Sequence, residues 1–82
     1  MRIKTEITDP RELGALIQQA RMAKGLSQRE LAQRLDIGQK WLWEMEQGKP
    51  GIFTTRLFEL LRETDVKLLA EFDLNLDEQD ES

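Results

Sequence analysis

Gln39, Lys40 and Trp43 bring a carboxamide, an ammonium group and an indole together within five residues. Trp43 follows the other two at i+4 and i+3, so on a helix all three share one face. A glutamine carboxamide can bond bidentately to adenine, a lysine can reach guanine or phosphate, and an apolar ring can cover a thymine methyl. Glu44 can accept from a cytosine amino group, although solvation beside Lys40 accounts for it better. Upstream, Ser27, Gln28 and Arg29 lie where a helix begins, and backbone N–H groups at such a terminus suit phosphate. Lys49, just past the 39–47 stretch, is placed to clamp the same phosphate backbone. The chemistry offered by Ser27, Gln28, Arg29, Gln39, Lys40, Trp43 and Lys49 is recognition of double-stranded DNA.

Catalysis finds no comparable set. The sequence holds no histidine and no cysteine. The usual general base, the commonest metal ligand, a Zn–thiolate site and a disulfide framework are therefore all missing. There is no Gly-rich phosphate loop, and paired carboxylates fall only on helix surfaces and in the C-terminal tail. The expectation is a protein that is not an enzyme and holds no metal or cofactor.

The elements that position these residues are marked by their own signals. Asp9, Pro10 and Glu12 form a capping start, and Leu13, Leu16, Ile17 and Ala20 follow at helical spacing. Gly25 is a stop, so a first helix is expected over about 10–24. Ser27 and Glu30 form a second capping box. Leu31, Ala32 and Leu35 make the apolar face of a second helix that ends at the turn 36–38. A third helix is expected over 39–47, with Leu42 and Met45 inward and Gly48 as its stop. Lys49-Pro50-Gly51 reads as a loop, and a fourth helix is expected over 54–64, with Leu57, Phe58, Leu60 and Leu61 apolar.

From Val66 the period changes to two. Val66, Leu68, Ala70, Phe72, Leu74 and Leu76 alternate with a side that is polar except for Leu69, the pattern of a half-buried strand. Ile3, Thr5 and Ile7 suggest a weaker strand over 2–7. A lone strand needs partners for its backbone groups. Two-fold pairing with the same strand of a second subunit supplies them, and so does a ribbon within one chain. Trp41 is expected to pack against the fourth helix or Phe53, and Trp43 to be the more exposed of the two tryptophans.

Two short helices joined by a tight turn, with Leu31, Leu35, Ile37, Leu42 and Met45 inward and the small Ala32 between them, form a helix-turn-helix pattern. The runs LSQRELAQRL over 26–35, Ile37-Gly38-Gln39, and EMEQGKPG over 44–51 resemble the phage-repressor-like (Xre/Cro) family across about residues 11–65. The chain also resembles the HipB-like antitoxins, which add a short C-terminal strand. That resemblance implies strands that pair across a homodimer, a dimer that represses its own operon, and a HipA-type kinase toxin as partner. It also implies an ion pair between Arg21 and Glu46 that ties the first helix to the third. Asp36 stands where the family usually has Gly, and Trp41 and Trp43 stand where it usually has small or polar residues.

The 82 residues carry a net charge of −4. All 12 bases lie within 1–70 beside 10 acids, a balance of +2, whereas 71–82 holds six acids and no base. A slightly basic body with an acidic tail is compatible with DNA binding without requiring it. No apolar run suits a membrane span or a signal peptide, so a cytoplasmic protein is expected.

The fold expected is mainly α: a four-helix repressor-like helix-turn-helix domain with a C-terminal β-strand pairing across a dimer. Residues 1–9 form an N-terminal arm, 10–65 the DNA-binding domain, 66–76 the dimerisation strand and 77–82 a disordered acidic tail. The function implied is a sequence-specific repressor acting on a near-palindromic operator, the antitoxin of a HipBA-type operon. The alternative is a protein-interaction module with weak or lost DNA binding, favoured by the net acidity and the tryptophans.

Overall fold

The computed structural model describes residues 1–49 and 51–74. Along the chain come strand β1 (Arg2–Ile7), helices α1 (Pro10–Ala23), α2 (Gln28–Leu35), α3 (Gln39–Glu46) and α4 (Ile52–Glu63), and strand β2 (Leu68–Asp73). The expected tail over 77–82 and the last two residues of the expected strand lie outside the described residues.

Each helix starts and stops for a local reason. The Asp9 side chain accepts from the Glu12 N–H at 2.8 Å, and Pro10 opens α1. Glu12 does not close the box on Asp9. Its carboxylate reaches one residue further back, accepting from the N–H and hydroxyl of Thr8 at 2.7 and 2.8 Å. Ser27 and Glu30 form the complete reciprocal box at the start of α2. Asp36 ends α2 in the left-handed conformation, at φ 56° and ψ 47°, which Asp tolerates better than most residues. The sharp α2–α3 turn therefore survives without glycine at position 36.

The packing of α1, α2 and α3 is close. Ala32 and Leu42 are each 3% exposed at the junction of the two short helices, where Ala32 was expected to permit close approach. Gly14 does the same where α1 crosses α3. A Cβ there would collide with the Met45 carbonyl oxygen and lie 2.7 Å from the Glu46 carbonyl oxygen. Gly in a helix interior costs about 1 kcal/mol relative to Ala, and this crossing is the reason it is needed. Leu35 departs from expectation. It is the last residue of α2, the chain turns away at Asp36, and its side chain stays 59% exposed.

The fourth helix begins two residues earlier than expected, because the backbone is helical as soon as Gly51 is passed. Its apolar residues do not all face inward: Phe58 is buried, whereas Ile52, Phe53, Leu57 and Leu60 are exposed. After α4, Asp65 takes φ 57° and the Val66 N–H bonds back to the Leu61 carbonyl at 3.0 Å. That closing turn uses Val66, which is why the strand starts at Leu68.

β2 finds its partner within the chain. It pairs antiparallel with β1 in the register Ile3↔Phe72, Thr5↔Ala70 and Ile7↔Leu68 on one face, and Arg2↔Asp73, Lys4↔Glu71 and Glu6↔Leu69 on the other. This is the ribbon alternative for the strand pairing. The expected pairing across a dimer is not what satisfies this edge of β2, since residues 2–7 occupy it, and among the described residues the other edge of each strand has no partner strand. Ile7, 5% exposed, anchors the ribbon to the helices, and the Arg62 guanidinium donates to the Thr8 carbonyl at 3.3 Å.

The α1–α3 crossing gives a direct test. Gly14→Ala forces a methyl group into backbone that cannot move as a side chain can. We expect a loss of about 1–3 kcal/mol, read as a lower melting temperature by circular dichroism. An unchanged melting temperature would show that the crossing has slack.

Candidate nucleic-acid interface

The exposed face of α3 is held in place from behind. Arg21 on α1 grips the Glu46 carboxylate at the end of α3 with two bonds, Nε to Oε2 at 2.7 Å and Nη2 to Oε1 at 3.1 Å. Its third nitrogen, Nη1, donates to the Leu26 carbonyl at 2.8 Å in the α1–α2 connection. From α2, the Gln28 side-chain amide donates to Glu46 Oε1 at 2.9 Å. One carboxylate thus joins three helices, with its side chain fully buried and that of Arg21 only 9% exposed. Burial pushes the Glu46 carboxyl up, but the hydrogen bonds from Arg21 and Gln28 and the guanidinium charge outweigh it, and the group sits below its ordinary value of 4.5. The ion pair implied by resemblance forms, and Gln28 adds a member to it.

Gln28, expected to face phosphate from its position at a helix start, has its side-chain amide engaged within the chain. Its amide is directed inward to Glu46. Ser27 is also engaged: its Oγ accepts from the Glu30 N–H at 3.0 Å, while the Glu30 carboxylate accepts from the Ser27 N–H at 2.9 Å. The carboxylate's bonding to the Ser27 backbone N–H, and then to the Ser27 side chain, holds the Glu30 carboxyl below its ordinary value. An ionised carboxylate thus sits at the N-terminus of α2 and offsets part of the attraction a bare helix terminus has for phosphate. Arg29 stands exposed on the preceding position.

The first turn of α3 has the opposite character. Its N-cap is Gly38, with no side-chain cap and no acidic residue in the first turn. Gln39 and Lys40 are exposed there, and Trp43, 43% exposed, follows one turn later on the same side. The Lys49 ammonium lies 5.2 Å from the centre of the Trp43 ring, a cation–π contact that joins the middle of the α3–α4 connection to the exposed face. Gln39, Lys40, Trp43 and Lys49 are thereby brought to one surface, with Ser27 and Arg29 exposed at the start of α2.

Trp41 is not core. It is 55% exposed, against the expectation that it packs on the fourth helix or Phe53, and Phe53 is itself 78% exposed. Trp41 lines a shallow groove with Glu44, Met45, Lys49 and Thr54, so it meets α4 only at an edge. The reason is its place on α3: Leu42 and Glu46 take the inward side, and Trp41 is turned away from both.

A family model described as a helix-turn-helix domain matches residues 12–80. No curated protein and no solved structure matches the chain. No described helix is long and apolar enough to cross a membrane.

Removing one member of a buried ion pair leaves the other charge without a partner, which typically costs 3–5 kcal/mol. Arg21→Met is expected to lose about that much in urea unfolding at neutral pH, a large part of the stability a domain of this size has. Glu46 has its folded-state value below the ordinary 4.5, so the stability it contributes is complete above that value and is lost as pH falls through the lower one. Glu46→Gln should be less stable than wild type at pH 7, with the gap narrowing as pH drops below about 4.5. A gap that stays constant with pH would mean that Glu46 is not the titrating group.

Proposed function

Because the chain belongs to the helix-turn-helix domain family, we propose that it is a sequence-specific DNA-binding regulator that acts as a homodimer and represses transcription. The observation that carries this reading is the exposed face of α3. Gln39 and Lys40 stand at an uncapped helix start with Trp43 and Lys49 beside them, on a helix locked from behind by Arg21, Glu46 and Gln28. A recognition helix needs this combination, because base contacts discriminate only if the helix cannot adjust to the wrong sequence. In the reading, Gln39 reads adenine, Lys40 reaches guanine or phosphate, and Trp43 covers a thymine methyl. Arg29 and Lys49 fix the register on the phosphate backbone, with the Ser27 hydroxyl beside them. Two such helices in a two-fold dimer would address half-sites ~34–36 Å apart.

The antitoxin reading, with a HipA-type kinase toxin as partner, rests on the resemblance to HipB-like proteins and on a strand that follows the four helices. The order of elements supports it; the pairing of β2 with β1 inside one chain differs from the cross-dimer pairing that resemblance implies. The second reading, a protein-interaction module, is favoured by the exposure of Trp41, Phe53 and Leu60. Neither reading involves a catalytic step.

Fluorescence anisotropy on the DNA immediately upstream of the gene, against a shuffled duplex and over a salt series, tests the main reading. We expect tight binding to the upstream DNA alone, weakening steeply with salt. Gln39→Ala should lose about 1–3 kcal/mol of discrimination at one base position. Lys40→Ala and Lys49→Ala should each lower the slope of log affinity against log salt by about 0.9 if the side chain neutralises one phosphate. Equal or absent binding to both duplexes would move the assignment to the interaction module.

A further inference from the structure

On α4, the exposed residues Phe53, Leu57 and Leu60 recur at steps of four and three, and Thr64, the residue that ends the helix, continues the series. That is the spacing of a helix–helix seam, with 57 and 64 at one kind of seam position and 53 and 60 at the other. Phe58 lies on a different side and is buried in the chain's own core. The seam is therefore additional to the face that holds α4 in place. Phe53 is 78% exposed and Leu60 62%, which no element among the described residues relieves.

We propose that this face of α4 is the homodimer seam, closed by an antiparallel α4 from a second copy of the chain. The proposal rests on the reading of the protein as a dimer and says which surface forms it. Two features select a second copy as the occupant. The first is packing: in an antiparallel pair the two kinds of seam position alternate across the interface, so Leu57 meets Leu60 of the partner subunit and Phe53 meets Thr64 of the partner subunit.

The second is charge. The residues that precede the seam positions 57 and 64 are Arg56 and Glu63, one heptad apart on one flank. In the same register, flank residues meet across an antiparallel seam, so Arg56 faces Glu63 of the partner subunit, and the two-fold repeats the contact. The sequence of one helix is thus complementary to itself reversed. Within one chain Arg56 pairs with Glu59, at 2.9 Å, and the two side chains are 70% and 45% exposed. Exchanging so exposed a pair for the intersubunit one costs little.

A twelve-residue helix is about 18 Å long, and a pair of that length covers an area at the low end of specific interfaces. The dimer is accordingly concentration-dependent. Because α4 follows α3 directly, the seam also sets the distance between the two recognition helices.

Sedimentation equilibrium on the full chain over a wide concentration range, with circular dichroism melts as a check on folding, tests the proposal. The wild type should self-associate to a dimer. Leu60→Glu should weaken association at least tenfold with the fold retained. Arg56→Glu and Glu63→Arg, each of which sets like charges against each other at both of the two-fold-related contacts, should each weaken it. An equimolar mixture of those two variants should recover a heterodimer, since one contact then sets the introduced glutamate against the introduced arginine and the other sets the native Arg56 against the native Glu63. A wild-type dimer untouched by any of these changes would overturn the α4 seam while leaving the dimeric reading intact. A wild type that stays monomeric throughout would overturn both, and neither result touches the DNA-binding assignment, which the anisotropy experiment decides.

Discussion

The buried carboxylate of Glu46 is the point on which three helices depend. Two charges taken out of water incur a large desolvation penalty, and only dense hydrogen bonding offsets it. Here Arg21 donates from all three guanidinium nitrogens, two bonds to Glu46 and one to the Leu26 carbonyl, and Gln28 adds a further bond to the carboxylate. Bidentate geometry fixes angle as well as distance. Neither α1 nor α3 can slide or rotate without breaking several bonds at once, and Gly14 keeps the two backbones close enough for the bonds to form.

That rigidity has a direct consequence at the surface. The inward side of α3 is used by Leu42 and Glu46, so its outward side is free to carry residues that serve no folding purpose. Two tryptophans stand exposed there, which a core-driven sequence would not place in water. Trp43 is steadied by the Lys49 ammonium, and Trp41 by the edge of a groove shared with α4. The two helix starts differ in charge for a similar reason. α2 uses its capping box to fix its own first turn, which puts a carboxylate there, whereas α3 leaves its first turn uncapped beside Gln39 and Lys40.

The periphery follows different rules from the centre. A chain of 82 residues has little interior to offer, and among the described residues the buried hydrophobics are Ile7, Ala23, Ala32, Leu42 and Phe58. The apolar side chains of α4 exceed what that core can take, so part of them face outward. The ribbon shows the same economy in polar groups. By folding 2–7 against 68–73 the chain satisfies one edge of each strand and keeps the alternation of Ile3, Thr5 and Ile7 with Phe72, Ala70 and Leu68 on a common face.

The sequence by itself determined the local decisions. Ser27 with Glu30, Asp9 with Pro10, and the change of period after Val66 set the order of four helices and two strands, because capping and periodicity act over a few residues and are written where they act. The exposed chemistry of Gln39, Lys40 and Lys49 was legible for the same reason. Contacts between distant residues had no such local mark. Gln28 was placed at a phosphate because a helix start suggests it; only the approach of α3, eighteen residues on, turned its amide to Glu46. Trp41 and Leu35 looked like core because hydrophobicity says what a side chain prefers, not whether a neighbour will arrive to cover it. Tertiary structure alone decided that, along with the partner of β2 and the need for Gly14, since each depends on where a second segment of chain comes to rest.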